Sequence, residues 1–585
     1  NNRKGFLHMK KKLLPALIVT GLIILVVIIM GITALINKYT PTKKTEDLKE
    51  YFNISSDDEA ALIVDNELSD YKAKIIDKKI YVDYKFVHDS LNSRFYWDAN
   101  ENVLLYTTAS DIISAAADSN SYSVTKQTND FGYPIVKATS DSSLIALDYV
   151  KQYSNITFKS YDDPARIVIT SKWDEIDSAT VSKSTQVRVK GGIKSPILKE
   201  VKKDDKITIL DSGDKWDKVA TEDGVIGYIK RKALSESKKT KLTNPDYEEE
   251  TFTHIKKDKD ICLAWNQVTS QSANSKVPQV ISSTKGINVM SPTWFYLNDN
   301  NGNLADIASK DYVSYCHSQG IEVWGLFSNF ENTDVDAAYV LTHTSTRTTL
   351  INQIMSAAFN YELDGVNIDF ENITEAAYGD SYIEFIRELA IKCHNNGISL
   401  SVDVTVPASF NKFFNRSDMA NFADYIVIMG YDEHYKGSDA GSVSSIPWVT
   451  EGVESTLKEV PADQIILGMP FYTRIWELTP KEDDDAVTDT EDQSKYTVAS
   501  QVYSMDAAAA QLATNNATAA LDEESGQNYA EWSVSNKLYK VWLEDTTSLE
   551  KRLKLVDDNK LAGAAFWKLG FENSSVWDTV IKYLN

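Results

Sequence analysis

The hydrophobic pattern changes three times along the chain, and each change predicts a different kind of structure. Residues 13–36 form an almost unbroken apolar run, long enough to cross a hydrocarbon core of roughly 30 Å as a single helix. The run exceeds the roughly 7–15 apolar residues of a secretory signal and lacks a clear small-residue cleavage site, so an anchor is the favoured reading over an uncleaved signal. From 60 to 172 a faint repeat of about 64 residues places β-branched strands after helical and turn segments, as in 103–107 and again in 167–170. From 181 to 235 short runs alternate apolar and polar and are broken by Gly191-Gly192, Ser212-Gly213-Asp214 and Asp223-Gly224, the pattern of a small all-β domain.

Beyond residue 251 short apolar strands alternate with helical stretches, which predicts a parallel sheet. Eight candidate strands can be counted, at 261–265, 286–290, 322–327, 365–371, 399–406, 425–431, 465–471 and 562–567. Eight is the number that closes a (β/α)8 barrel. Helices fit between most of them, for example 380–395, where Tyr382, Phe385, Ile386 and Leu389 share one face. The stretch 473–560 is too long for one crossover and predicts a small inserted subdomain before the last strand, with Asp483-Asp484-Asp485 as a solvated loop. The expected fold class is therefore α/β: a (β/α)8 TIM barrel over 251–585, preceded by a charged linker (236–250), an all-β domain (181–235), an α+β domain (60–172), a polar tether (37–59), a membrane helix (13–36) and a short tail (1–12).

Charge narrows the partners. Arg3, Lys4, Lys10, Lys11 and Lys12 precede the apolar run, with Met9 a candidate initiator, and only Lys38, Lys43 and Lys44 follow it closely. That bias places the N-terminus in the cytoplasm and the remainder outside the cell. A formal net charge of −23, with no basic stretch interleaved with aromatics in the soluble part, argues against a nucleic-acid partner and suits a neutral or sugar-like substrate. The 3 cysteines, Cys262, Cys316 and Cys393, fit neither a disulfide framework nor a metal spacing, and the 7 histidines are scattered, so no metal or other cofactor is expected.

The chemistry concentrates in Asp364-Gly365-Val366-Asn367-Ile368-Asp369-Phe370-Glu371. Residues two apart on a strand share a face, so Asn367, Asp369 and Glu371 project one way and Val366, Ile368 and Phe370 the other. Ionisable groups in a strand of a buried sheet need a polar cavity or a reaction to justify their desolvation. Catalytic groups of such barrels sit at the C-terminal ends of strands, where Glu371, Tyr431, Asp432 and Trp567 fall. An acid, a second carboxylate, a phenol and an indole at one mouth suit a sugar ring. Asp403 and Asn329, also near strand ends, are left open between facing substrate and satisfying local backbone, and His434 reads as a rim or structural residue.

Asp364-Gly365-x-x-x-Asp369-x-Glu371, supported by Met429-Gly430-Tyr431-Asp432 and Trp567, resembles the signature of glycoside hydrolase family 18, the chitinases and related endo-N-acetylglucosaminidases, over roughly 255–585. Tyr431 to His434 and Ile446 to Trp448 bring it nearest the spore-cortex and cell-wall branch. The resemblance implies that Glu371 is general acid and then base, that Asp369 orients the substrate's 2-acetamido group, that Tyr431 hydrogen-bonds the acetamido oxygen, and that Asn367, Met429, Asp432 and Trp567 bind the sugar. It also implies a polysaccharide substrate containing N-acetylglucosamine, in cell wall or in chitin, with a silent lectin on the same barrel as the non-enzymatic alternative. The commonest motif has aspartate where this chain has Asn367, a substitution usual in the spore-cortex branch that bears on pH optimum more than on mechanism. Residues 181–235 resemble a bacterial SH3-like domain, and 60–172 resemble the stalk-like domain named for the N-terminus of copper amine oxidases, implying wall contact or spacing and no copper site.

Overall fold

The computed structural model describes residues 3–139, 142–373, 376–481 and 492–584. The expected acidic loop at 483–485 lies outside them. The chain divides into two compact units, Asn1–Ser93 with Ile135–Glu249, and Arg94–Pro134 with Glu250–Asn585.

The second unit carries the barrel. Its parallel strands are β1 (Ile261–Asn266), β2 (Val289–Leu297), β3 (Glu322–Ser328), β4 (Gly365–Asp369), β5 (Ser399–Thr405), β6 (Tyr425–Met429), β7 (Ile465–Pro470) and β8 (Gly563–Trp567). They pair in sequence order, β8 returns to β1, and β1 pairs with β2, so the eight-stranded ring closes. Strand two begins later than the expected 286–290 and runs on to Leu297, because Asn288 is spent on local contacts: its amide oxygen accepts from the Cys262 N–H at 2.8 Å. Strand four stops at Asp369, so Glu371 lies in the loop beyond its end and Tyr431 likewise beyond β6.

Two apolar layers hold the barrel. Val366, Ile368 and Phe370 face outward into the core shared with the surrounding helices, while Ile261, Leu263, Trp265, Trp324, Leu326, Tyr425 and Val427 fill the interior. Gly365 is required where β4 crosses that interior, because a Cβ there would meet Trp324 Cδ1 at 2.5 Å. The expected insertion is present between β7 and β8 as an antiparallel sheet of Tyr472–Pro480, Tyr496–Ser504, Ala520–Asp522, Gln527–Val534 and Lys537–Leu543, with the helix Met505–Thr514.

The span 60–172 is divided between the two units. Its first hairpin, Phe95–Asp98 with Val103–Thr107, continues as a five-stranded meander to Asp130 that belongs with the barrel; its second, Thr157–Tyr161 with Arg166–Thr170, joins a seven-stranded sheet of the first unit. The meander covers two barrel helices, α1 (Thr344–Tyr361) and α2 (Gly379–His394). Both faces of α2 are consequently buried, although its sequence is amphipathic. Buried Glu384 accepts from Thr107 Oγ1 at 2.8 Å and from Arg387 at 3.0 Å, Ser381 pairs with the Tyr96 hydroxyl at 2.9 Å, and Arg347 binds Glu388 at 2.9 Å beneath the Tyr96 ring.

In the first unit a second seven-stranded sheet runs from Glu175 to Lys241, so the expected linker at 236–250 begins with a strand, Lys238–Lys241. A fully exposed lysine-rich edge carries no apolar alternation and reads as linker for that reason. The expected tether is also partly ordered: Phe52 is buried beside Leu48, Tyr51 and Ile54. The N-terminal helix runs Arg3–Tyr39, of which Pro15–Tyr39 is long and apolar enough to cross a membrane.

Thr107→Val keeps the shape of the meander and deprives the buried Glu384 carboxylate of a donor. The barrel's unfolding free energy in urea is expected to fall by about 1–3 kcal/mol, and a change within error would show that the meander contributes no such contact.

Candidate active site

A cleft of about 320 Å³ opens at the C-terminal mouth of the barrel, walled by Trp265, Phe330, Tyr431, Tyr472 and Trp567 and lined by Glu331, Asp369, Glu371, Asp403 and Asp432. All seven residues singled out from the sequence stand in or beneath it. Asp369, Glu371, Met429, Tyr431, Asp432 and Trp567 line the cleft, and Asn367 lies one strand layer below, fully buried.

Asn367 is the hub of the floor. Its amide oxygen accepts from Trp265 Nε1 at 2.9 Å and Ser291 Oγ at 3.0 Å, and its amide nitrogen donates to Ser401 Oγ at 3.0 Å and Asp403 Oδ1 at 2.7 Å. Two lone pairs and two N–H groups are an amide's whole capacity, so the side chain is locked. The Trp265 ring it fixes meets Tyr431 and Trp567 edge-on, with centroids 6.4 and 6.0 Å away.

Above the hub the carboxylates crowd. Burial pushes the Asp369 carboxyl far above the usual range, and Asp403, Glu371 and Glu331 push it the same way. Its Oδ1 is buried with no hydrogen-bond partner among the described residues. Burial also raises Asp403, against the pull of the Asn367 amide. Glu371 touches solvent along the cleft, yet the walls strip enough water from it to raise its carboxyl, with Asp432 and then Glu331 adding to the effect. Tyr431 is held neutral by burial and by the same acids. Carboxyls so close titrate as a set, and the set retains protons above the ordinary carboxylate range.

The structure decides Asp403, which the sequence left open, and adds residues that the sequence reading passed over. Asp403 faces the cleft; Ser401 pairs with Asn367 across the β4–β5 ladder, and the polar alternation Ser399, Ser401, Asp403 was the available signal. Glu331 is held by Ser328 Oγ at 2.6 Å. Tyr472 donates to Asp432 Oδ1 at 2.5 Å, and Arg474 stands 3.9 Å from the same oxygen. Those two come from the insertion, and no local pattern links them to residue 432. Asn329 serves the backbone, accepting from the Asn372 N–H at 3.1 Å, and His434 Nδ1 pairs with the Ser442 carbonyl at 2.7 Å as a structural residue. The three cysteines are free and buried, with the thiols of Cys262 and Cys316 pushed up to about 12.

Carboxyls raised by burial and set among aromatic walls at the mouth of a parallel barrel are equipment for breaking a glycosidic bond, and the class is that of the glycosyl hydrolases. Residues 327–572 match the family model described as glycosyl hydrolases family 18, and the chain carries a domain of that family. Among known sequences it is similar to an uncharacterised glycosylase, YvbX, of Bacillus subtilis (strain 168), 24% identical over 302 residues, covering 48% of this chain and 81% of that one. It is also similar to the cortical fragment-lytic enzyme of the same organism, 24% identical over 287 residues, covering 47% of this chain and 63% of the relative, which is less than two thirds of that protein. Among solved structures, the Bacillus cereus spore cortex-lytic enzyme SleL superposes with a TM-score of 0.49 at 18% identity over 59% of this chain and 79% of that one.

A carboxyl whose pKa is higher folded than unfolded binds more protons in the folded state, so it costs stability as pH rises above its unfolded value near 4. Asp403→Asn removes that cost and keeps an oxygen for the Asn367 amide. Scanning calorimetry should therefore find the barrel transition raised at pH 7.5, with the gain shrinking toward pH 4; an equal shift at both would contradict the assignment.

Proposed function

We propose that the chain is a membrane-anchored glycosidase that hydrolyses β-1,4 bonds following N-acetylglucosamine in a peptidoglycan-like glycan, retaining configuration through the substrate's own 2-acetamido group. The observation that carries this reading is the buried Asp369 Oδ1 without a partner, beside Tyr431 and Glu371. An unsatisfied buried acceptor in a binding cleft calls for a donor from the ligand, and an acetamido N–H is a donor of suitable kind and size.

In this mechanism Glu371, whose carboxyl is raised by burial and by Asp432, gives its proton to the glycosidic oxygen as the C1–O bond breaks. The acetamido oxygen attacks C1 and forms an oxazolinium, oriented by the Tyr431 hydroxyl and charge-stabilised by Asp369. Glu371, now a carboxylate, takes a proton from water as that water opens the ring at C1, which restores the acetamido group and the starting configuration. Asp432, held by Tyr472, and the Trp567 indole bind the sugar, and Met429 lines the same wall. Asn367 supports the floor and keeps the Asp403 carboxyl oriented.

The wall is favoured as substrate by three features: the apolar helix as a single-pass anchor with its N-terminus cytoplasmic, the relatives named as a cortical fragment-lytic enzyme and a sporulation-specific glycosylase, and the all-β domain at 181–235 read as SH3-like. Chitin oligomers are the second reading, favoured by the similarity to a probable di-N-acetylchitobiase of Dictyostelium discoideum, 23% identical over 252 residues. Mass spectrometry of products from purified wall and from chitin oligomers separates the two, because the new reducing-end sugar identifies the bond cleaved.

Glu371→Gln should lower turnover by about 10²–10⁴-fold while leaving glycan binding in place; retained release of reducing ends would end the proposal. Asp432→Asn removes a negative neighbour that helps hold the Glu371 proton, so the alkaline limb of the activity profile should move to lower pH. A limb that stays or moves upward would show that another group sets it.

A further inference from the structure

We propose that the all-β sheet of the first unit lies on the membrane, its loop 190–195 engaging the phosphates of anionic lipid headgroups beside the point where the N-terminal helix leaves the bilayer. The inference rests on the anchoring proposed above and concerns a surface with no part in the chemistry.

The sheet is fastened to the end of the helix. The helix ends at Tyr39, and the next residues pair directly with the sheet: the Thr42 N–H donates to the Ile193 carbonyl at 2.8 Å, the Ile197 N–H to the Lys44 carbonyl at 2.8 Å, and the Glu46 N–H to the Ile197 carbonyl at 2.8 Å. Arg188, buried in the sheet, donates to the Thr42 carbonyl at 3.2 Å, and Lys194 Nζ donates to the Thr40 carbonyl at 2.8 Å and to that of Asn37 within the last helical turn. No flexible spacer intervenes, so a helix set in a bilayer puts loop 190–195 at headgroup level.

The composition of that end fits such a surface. Residues 175–241 hold sixteen Lys and Arg against eleven Asp and Glu, in a chain of formal charge −23. Exposed Lys38, Lys43, Lys44 and Lys190 gather with Lys194 around the helix exit, while the acidic Asp47 nearby is spent on the Lys49 N–H at 2.8 Å as a helix cap. Gly191 lies against Trp216, whose ring carries Lys230 at 5.6 Å, and exposed Tyr39 ends the helix. Tryptophan, tyrosine and lysine together are the side chains of a membrane interface. The lysines of the loop do not oppose the orientation of the anchor, because the charge bias is set by residues close in sequence to the span.

The test uses the full chain in nanodiscs. Gly192 has open space around a built Cβ and the three native cysteines are buried, so Gly192→Cys gives a single reactive site for a fluorophore. Lipids bearing a nitroxide at the headgroup report its proximity. Quenching should be at least about twofold stronger in discs rich in phosphatidylglycerol than in phosphatidylcholine discs, and should drop toward the neutral value at about 1 M salt or with Lys190→Gln/Lys194→Gln. Equal quenching in both lipids, with the chain incorporated, would overturn the proposal and leave the anchor standing. Failure to incorporate at all would overturn the anchor and the proposal with it. Protection of the label by a soluble glycerol-phosphate polymer in place of lipid would assign the patch to an anionic polymer and would likewise overturn it.

Discussion

The active centre depends on one buried amide. Asn367 spends all four of its hydrogen-bonding positions on Trp265, Ser291, Ser401 and Asp403, tying β1, β2 and β5 to β4 across the interior of the barrel. Each end of that network reaches the cleft: one fixes the indole against which Tyr431 and Trp567 pack, the other fixes the carboxyl that crowds Asp369. An aspartate at 367 could accept from Trp265 and Ser291, but it could donate to Asp403 only when protonated. With asparagine the donor is permanent, so one proton fewer has to be shared among the buried acids.

That arrangement sets a thermodynamic conflict which the rest of the barrel absorbs. Asp369, Asp403 and Glu371 are all raised by desolvation first and further by neighbouring acids, which for Glu371 are Asp432 and Glu331, so none gains stability from ionising where it stands. The compensation is apolar. The interior below the hub is filled by Trp324, Tyr425, Leu263, Val427 and their neighbours, and the opposite face of β4 is sealed into the helical layer by Val366, Ile368 and Phe370. A sheet packed on both sides holds its strands against the repulsion of acids at their ends, and the stored proton is what a general acid requires.

The parts of this architecture that were legible in the sequence are those with a short-range signature. The eight strands are largely apolar stretches of five to eight residues in the sequence, and the octet around Asn367 betrays itself by placing polar groups at period two where a buried strand has none. Asp403 carries the same signature more faintly, since Ser399 and Ser401 before it are small and ambiguous. Glu331, Tyr472 and Arg474 have none, because their relation to the site is a contact between loops distant in the chain. The linker that proved to be a strand, Lys238–Lys241, failed for the complementary reason: a sheet edge in solvent needs no apolar side chains.

Helix α2 shows where amphipathic reasoning stops. Its apolar face, Tyr382, Phe385, Ile386 and Leu389, packs on the barrel as its period requires, while the polar face reads as solvent-facing. That face is nevertheless dry, because Ser381, Glu384, Arg387 and Glu388 find hydrogen-bonding partners in Tyr96, Thr107, Asp418 and Arg347. A polar helix face can be buried when its charges are paired, and no periodicity distinguishes that case from exposure. The partner segment lies more than two hundred residues earlier, inside a stretch whose repeat pairs it with a different neighbour. The buried Glu384 and Ser381 help decide where the first hairpin of that stretch packs: Tyr96 and Thr107 lie on one face of the meander, and without them Glu384 would lose the Thr107 hydroxyl and Ser381 the Tyr96 hydroxyl inside a dry interface.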